Sequence, residues 1–249
     1  MINDDLFITA VVMFLVSVAA VLAFLIVLLI TGINWYRNKR LKISLIEAGL
    51  ILGSIFVLYL GVPFWCLAIA GNMELDKAET MHILSVKTSL LPSVRSFMEA
   101  ELGASYMANF EGQKAIDAYE ASIKIRDNKF SAANLCLLYL YKGDLQNAIS
   151  MCTKENLMQS AAAGYILQND YETSMEVVDN TIKSSQKVSC WNFAQKAYIY
   201  RKLGNQDMFK EFYKKAEALC PGNAALKRLY ENKNYYSDFY MQKKKEFNF

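Results

Sequence analysis

Histidine is almost missing from this 249-residue chain, with His82 the single copy. One imidazole cannot build the histidine sets that hold zinc, and no Cys-x-x-Cys pair is present to replace them. A glycine-rich phosphate loop is missing as well, although there are 11 glycines. His82 lies on the apolar side of a helical stretch with no visible catalytic partner, so it reads as structural rather than as a general base. No enzymatic activity, cofactor, metal or small-molecule substrate is expected.

Charge is scarce too, at 20% of residues against 54% hydrophobic, and the net charge is only +3. The span 73–223 sums to about −1, whereas the last 26 residues hold six bases and three acids. A nearly neutral body carries no electrostatic footprint for nucleic acid. Acidic pairs such as Asp117 with Glu120 read as solvated helix faces, and Lys243-Lys244-Lys245 as a soluble end.

The apolar excess is concentrated at the start. From Phe7 to Ile30 there are 24 uncharged residues, and from Ala48 to Ala70 another 23. Roughly 20 apolar residues at helical rise cross a bilayer, which predicts two spans at about 7–30 and 46–70. An acidic start (Asp4, Asp5) and an overlong core argue against a cleaved signal peptide. The intervening loop carries Arg37, Lys39, Arg40 and Lys42 with no acid, and Trp35 and Tyr36 stand at its edge. Short basic loops stay in the cytoplasm, so both ends of the hairpin and everything after it are expected on the extracytoplasmic face (the periplasm where there is an outer membrane). The opposite orientation stays open. Gly49, Gly53 and Gly61 share a ridge of the second span, and Ala19 with Ala23 gives the first a matching small face. Such faces let helices approach closely in lipid. They either close the hairpin on itself or dock another membrane protein. Pro63 is expected to kink the second span by removing a donor. Neither span carries a charge near its middle, so the hairpin of residues 1–72 reads as an anchor in the lipid bilayer.

Beyond it, residues 73–95 predict a connector helix, Leu75 to Leu90, closed by Pro92. "SFME" at Ser96 to Glu99 has capping-box spacing and predicts the next helix start. The segment "YLYKGDLQNAISMC" at 139–152 then aligns with "YMANFEGQKAIDAY" 33 residues earlier, and with segments starting at Tyr165 and Tyr200. Each has a tyrosine, a turn about four residues later, and a second helix entered through Ala115, Ala148, Ser174 or Phe209.

These residues, with Leu102, Gly103, Tyr106 and Tyr119 in the first copy and Leu135, Gly143, Asp144 and Leu145 in the second, resemble the tetratricopeptide repeat, a 34-residue helical hairpin. "AEALCPGN" closes the last copy in the family's manner. The third copy follows the second by only 26 residues, which predicts a shortened pair around "KENLMQSAAAG", and Lys196 and Phe209 depart from the family's apolar and small residues. The expected fold is all-α: an N-terminal transmembrane helical hairpin, then a solenoid of about four helical pairs over 96–223. Residues 224–249 are expected to give a capping helix, "AALKRLYENKNYYSDFY", and a frayed basic aromatic tail, "MQKKKEFNF".

The resemblance implies a concave groove lined by the first helix of each pair. Its candidate residues are Phe97, Met107, Phe130, Asn134, Leu137, Leu140, Tyr141, Trp191, Gln195, Tyr198 and Arg201. The family's chaperone-tail binders clamp a carboxylate with Lys, Arg and Asn, and the first three copies lack that cluster. An apolar, aromatic groove suits an amphipathic helix or apolar peptide of another protein, or this chain's own Tyr-rich C-terminal segment. Cys136 and Cys152 read as buried core thiols. Cys190 and Cys220 bracket the last hairpin at one end, in reach of a bond or free. The functional expectation is a membrane-anchored scaffold that assembles envelope proteins, such as a motor, secretion or pilus complex. An accessory subunit or assembly chaperone of a membrane enzyme or transporter, acting through its spans, is the alternative.

Overall fold

Turn chemistry lays out the architecture. In a computed structural model of the protein, the described residues are 19, 22, 26, 29, 30, 53, 61–63, 66, 75–89, 91–185 and 188–249. Most of both predicted spans, the basic loop, Ala23 and Gly49 lie outside them. The chain divides into two compact units, 1–102 and 103–249.

In the first unit, Ala19, Leu22, Ile26, Leu29 and Ile30 are helical and exposed, Gly53 is helical, and Gly61, Pro63 and Cys66 are helical and buried. Among the described residues no helix is long and apolar enough to cross a membrane. Helix α1 is Leu75–Thr88, two residues shorter than expected, and its Ser85 hydroxyl donates to the Pro63 carbonyl at 2.8 Å. Helix α2 is Pro92–Ala108. It therefore begins at the proline expected to separate two helices, four residues before Ser96, which is buried mid-helix. A proline in the first turn gives up no hydrogen bond, and its fixed φ suits a helix start. Pro92 overrides the cap predicted at Ser96.

Eleven labelled helices account for the described residues from 75 onward. The rest are α3 Gly112–Ile125, α4 Lys129–Lys142, α5 Leu145–Lys154, α6 Met158–Leu167, α7 Tyr171–Ser184, α8 Cys190–Lys202, α9 Gln206–Leu219, α10 Ala224–Glu231 and α11 Tyr235–Glu246. Four hairpins follow: α2/α3, α4/α5, α6/α7 and α8/α9. Each turns in the same way. The amide five residues after Tyr106, Tyr139, Tyr165 and Tyr200 donates back to that tyrosine's carbonyl at 2.9–3.0 Å. The residue just before that amide is left-handed: Phe110, Gly143, Asn169 and Gly204. This is the Schellman arrangement, which satisfies carbonyls orphaned at a helix end. The next residue caps the second helix: Asp144, Asp170 and Asn205 each accept from the amide three positions on. The register of the third and fourth copies, irregular in sequence spacing, is thereby the same as that of the first two.

The predicted shortening is located by helix length. Helices α5 and α6 have 10 residues each, against 14 in α3, α4 and α7. About one helical turn is gone from each side of the junction between the second and third hairpins. Gly164 allows the close packing there, since a β-carbon on it would lie 2.7 Å from Ile149. Lys196 is accommodated by an ion pair with Asp179 at 2.6 Å and by the Phe212 ring under its ammonium. Phe209 is covered by stacking on Tyr230 of α10.

A second repeat relation explains the cysteines. The residues three before and thirteen after each tyrosine are Gly103/Tyr119, Cys136/Cys152, Ala162/Val178 and Ala197/Tyr213. In the first hairpin the pair is a tight glycine–ring contact, with the fully buried Tyr119 only 2.8 Å from a β-carbon placed on Gly103. In the second it is a disulfide, Cys136–Cys152, not two core thiols. Positions that meet across the first hairpin need only be cysteines in the second to be bridged. Cys190 and Cys220 are also bonded, closing the open end of the fourth hairpin.

Candidate functional site

The first helices α4, α6 and α8 pack side by side, and α11 lies across α4 and α6. The C-terminal region differs from expectation at this point. Instead of one capping helix and a frayed tail, it forms two helices broken at Asn232–Asn234, and the second is helical through Glu246. Helix α10 caps the last hairpin by burying Leu226 and Leu229. Helix α11 returns over the face of the first helices with Tyr236, Phe239, Tyr240, Lys243 and Phe247 at least half-buried, while Met241, Gln242, Lys244 and Lys245 stay exposed. That inward set is an amphipathic spacing of i, i+3, i+4, i+7 and i+11. It was present in the sequence as the signal for a groove-seated helix, masked by the basic run beside it.

Tyr141 is the centre of the contact. Its ring lies 5.4 Å from Phe247, 5.8 Å from Tyr240 and 6.5 Å from Phe239. Burial pushes its phenol above the usual tyrosine range. Leu140 is fully buried in a cluster with Cys136, Ala148, Cys152 and Ala161, against which Tyr240 also packs. Toward the other end, Tyr198 meets Tyr236 at 4.8 Å, edge to face, and burial raises its phenol to about 12. Arg201 donates to the carbonyls of Tyr230 and Asn232. Its guanidinium thus ties down the last turn of α10 and the start of the link to α11. Desolvation lowers its pKa.

The tail end is held separately. The Gly112 amide donates to the Phe247 carbonyl at 3.2 Å. A β-carbon on Gly112 would lie 2.3 Å from the Phe249 ring and 2.7 Å from that carbonyl. Phe110, left-handed at φ 59° without being glycine or asparagine, sets its ring 5.4 Å from Phe247. A left-handed bulky residue carries strain, and here it sits where the chain terminus lands.

The expected groove residues divide into groups. Leu140, Tyr141, Tyr198 and Arg201 are brought together under α10, α11 and their link. Gln195 is buried and donates to the Gln159 carbonyl at 2.7 Å, joining α8 to α6. Trp191 is half-buried beside the cluster formed by Ala194, Ile199 and Leu226. Met107, Asn134 and Leu137 are half-buried and Phe130 is exposed, with Phe130 edge-on to Tyr119 at 6.1 Å. Phe97 is half-buried in the first unit. Of the small-residue positions, Ala19 and Gly53 are helical and exposed, and Gly61 is helical and buried.

A separate cleft of about 530 Å³ runs along α7 and the end of α8, lined by Tyr171, Glu172, Met175, Glu176, Asp179, Asn180, Lys183, Tyr200 and Leu203. It contains none of the candidate groove residues. Among the described residues no group of three or more histidine, cysteine or carboxylate side chains is arranged to hold a metal ion. His82 has a buried Nδ1 with no hydrogen-bond partner, and burial lowers its pKa.

Residues 193–223, most of the fourth hairpin, match the family model described as tetratricopeptide repeat. Among solved structures the chain is similar to MamA AMB-1, at 14% identity and a TM-score of 0.51 over 67% of this chain and 93% of that one. It is also similar to a putative kinesin light chain from Podosopora anserina with TPR-like repeats, at 16% identity and 0.50 over 63% and 92%. Pseudomonas aeruginosa pilF aligns at 10% identity and 0.50 over 90% of this chain and 99% of its own. At such identities the likeness is one of fold, an all-helical solenoid of the tetratricopeptide kind. No curated protein matches the chain significantly.

Proposed function

We propose that this chain is a membrane-anchored, non-catalytic scaffold. Its helical repeats present a binding face to other proteins, and its N-terminal hairpin holds that face at the bilayer for assembly of an envelope complex. The observation that carries the reading is the seat of α11. The aromatic face of α4 and α6 accepts an amphipathic helix, the ligand class that helix-in-groove recognition uses. Support for the anchor comes from Leu22, Ile26, Leu29 and Ile30, a helical stripe of large apolar side chains about half exposed. Water disfavours such a stripe and lipid does not. Two disulfides in the repeat unit favour an oxidising compartment, in agreement with the orientation expected from the basic loop.

Crosslinking and co-purification from native membranes test the reading. Replacing residues 1–72 by an unrelated two-span anchor should leave partner recovery intact, whereas Tyr141→Ala and Trp191→Ala should weaken it. Partners lost with the anchor swap but kept by both substitutions would place recognition in the spans and refute the scaffold.

A further inference from the structure

We infer that α11 and the terminal Phe247-Asn248-Phe249 form a releasable internal ligand. They cover the partner face of α4 and α6 until an amphipathic helix with aromatic side chains at i, i+3, i+4 and i+11 displaces them. The inference deepens the scaffold reading and rests on it, since it names how that face is controlled and what the incoming chain looks like. The template for the partner is the resident helix itself: Tyr236, Phe239, Tyr240 and Phe247 face inward, and Tyr141 meets three of the four rings.

Three features together make α11 a segment able to leave. Its first half, "YYSDFY", is built from weak helix formers, and its cap residue Asn234 makes no side-chain cap bond. A 12-residue helix of that kind is marginal alone, so its helicity depends on the face it occupies. Secondly, its attachment point stays fixed without it. Arg201 binds carbonyls of Tyr230 and Asn232, both upstream of α11, so the helix can leave while α10 keeps capping the solenoid. Thirdly, the far end is fastened by a compact latch, the Gly112–Phe247 hydrogen bond and the Phe110–Phe247 ring contact. One residue of that latch, Phe110, holds a strained backbone, as positions that switch often do. A weak helix, a pinned hinge and a strained latch make a segment that opens locally while the rest stays folded.

The test uses the full chain in mild detergent and a fluorescent peptide with the sequence of residues 232–249. The wild-type chain is compared with the double variant Tyr240→Asp/Phe247→Asp, which loosens the resident helix but leaves α4 and α6 unchanged. Apparent affinity scales with the fraction of uncovered face, so the peptide should bind the variant at least about tenfold more tightly than the wild type. Adding Tyr141→Ala to the variant should reverse that gain. Hydrogen exchange on the wild type should show 235–249 exchanging faster than α4 and α6. Equal affinities, or exchange of α11 in step with α4 and α6, overturns the inference. Collapse of α4 and α6 protection in the double variant would also overturn it, because α11 would then be a fixed part of the core. These readouts involve no natural partner, so they can fail while partner capture in native membranes succeeds, and the reverse.

Discussion

Breaking the two disulfides should remove a large share of the stability of residues 103–249. Constraining the unfolded chain is worth about 3 kcal/mol for a closed loop of 16 residues and nearly 4 kcal/mol for one of 30, the separations of Cys136–Cys152 and Cys190–Cys220. The two loops do not overlap, so the effects add to about 7 kcal/mol. Domains are typically stable by only about 5–15 kcal/mol. The assay is urea unfolding followed by circular dichroism, on oxidised chain and on chain reduced while unfolded. A fall of about 7 kcal/mol corresponds to roughly 15–25 °C in Tm for a unit of this size. Mild reductant should open the bonds in order. Cys136 and Cys152 are fully buried whereas Cys220 is half-exposed, and exchange needs access to a sulfur. Intact-mass analysis of protein alkylated without reduction must show four bonded cysteines and one free. Five reactive thiols, or unfolding midpoints that coincide with and without reductant, would refute the reasoning and remove the support for an oxidising compartment.

Gly103→Ala should destabilise by up to about 2 kcal/mol: overpacking against the buried Tyr119 costs about 1–3 kcal/mol and the helix gains about 1 kcal/mol from losing a glycine. Adding Tyr119→Val, which copies the Ala162/Val178 pair of the third hairpin, should show favourable coupling of about 1 kcal/mol or more in a double-mutant cycle. Phe110→Gly should relieve about 1 kcal/mol of left-handed strain yet speed hydrogen exchange at 247–249, because the ring against Phe247 is lost; unchanged exchange there would remove Phe110 from the latch. Tyr198 ionises at about 12, above the usual tyrosine value of 10.0, because of burial. A raised folded pKa gives stability that is complete below the unfolded value and lost as pH rises through the folded one. Stability should therefore fall between about pH 10 and 12 with a late tyrosinate absorbance at 295 nm, and an early one would contradict the burial.

Hairpins, turns and the spacing of small residues were legible because they are local. A tyrosine, a turn four residues on and a small residue after it are set by backbone chemistry, which recurs even where Phe110 replaces glycine. The shortened junction was legible as a 26-residue offset, but which helices lost a turn was not, because the loss is shared between α5 and α6. The start of α2 was misread because Pro92 can close one helix or open the next, and only packing decides. Cys136 and Cys152 were misread because their positions are core positions. A bond and a contact use the same spacing there, and the clue was the equivalence with Gly103/Tyr119 rather than either cysteine alone.

The tail was the least legible part, for a reason that bears on function. "YYSDFYMQKKKEFNF" is poor as an isolated helix and basic on its outer face, so local rules give "YYSDFY" to the end of a capping helix and "MQKKKEFNF" to solvent. Its helical form depends on Tyr141, Leu140 and Tyr198, residues of two hairpins that stand 37–109 positions earlier in the chain. The same dependence would apply to any partner helix: the face supplies the order that the ligand lacks. The aromatic groove and the Tyr-rich C-terminal segment are two halves of one interface; the sequence offered that segment as one occupant of the groove beside a partner helix, and only the packing on Tyr141 chooses it.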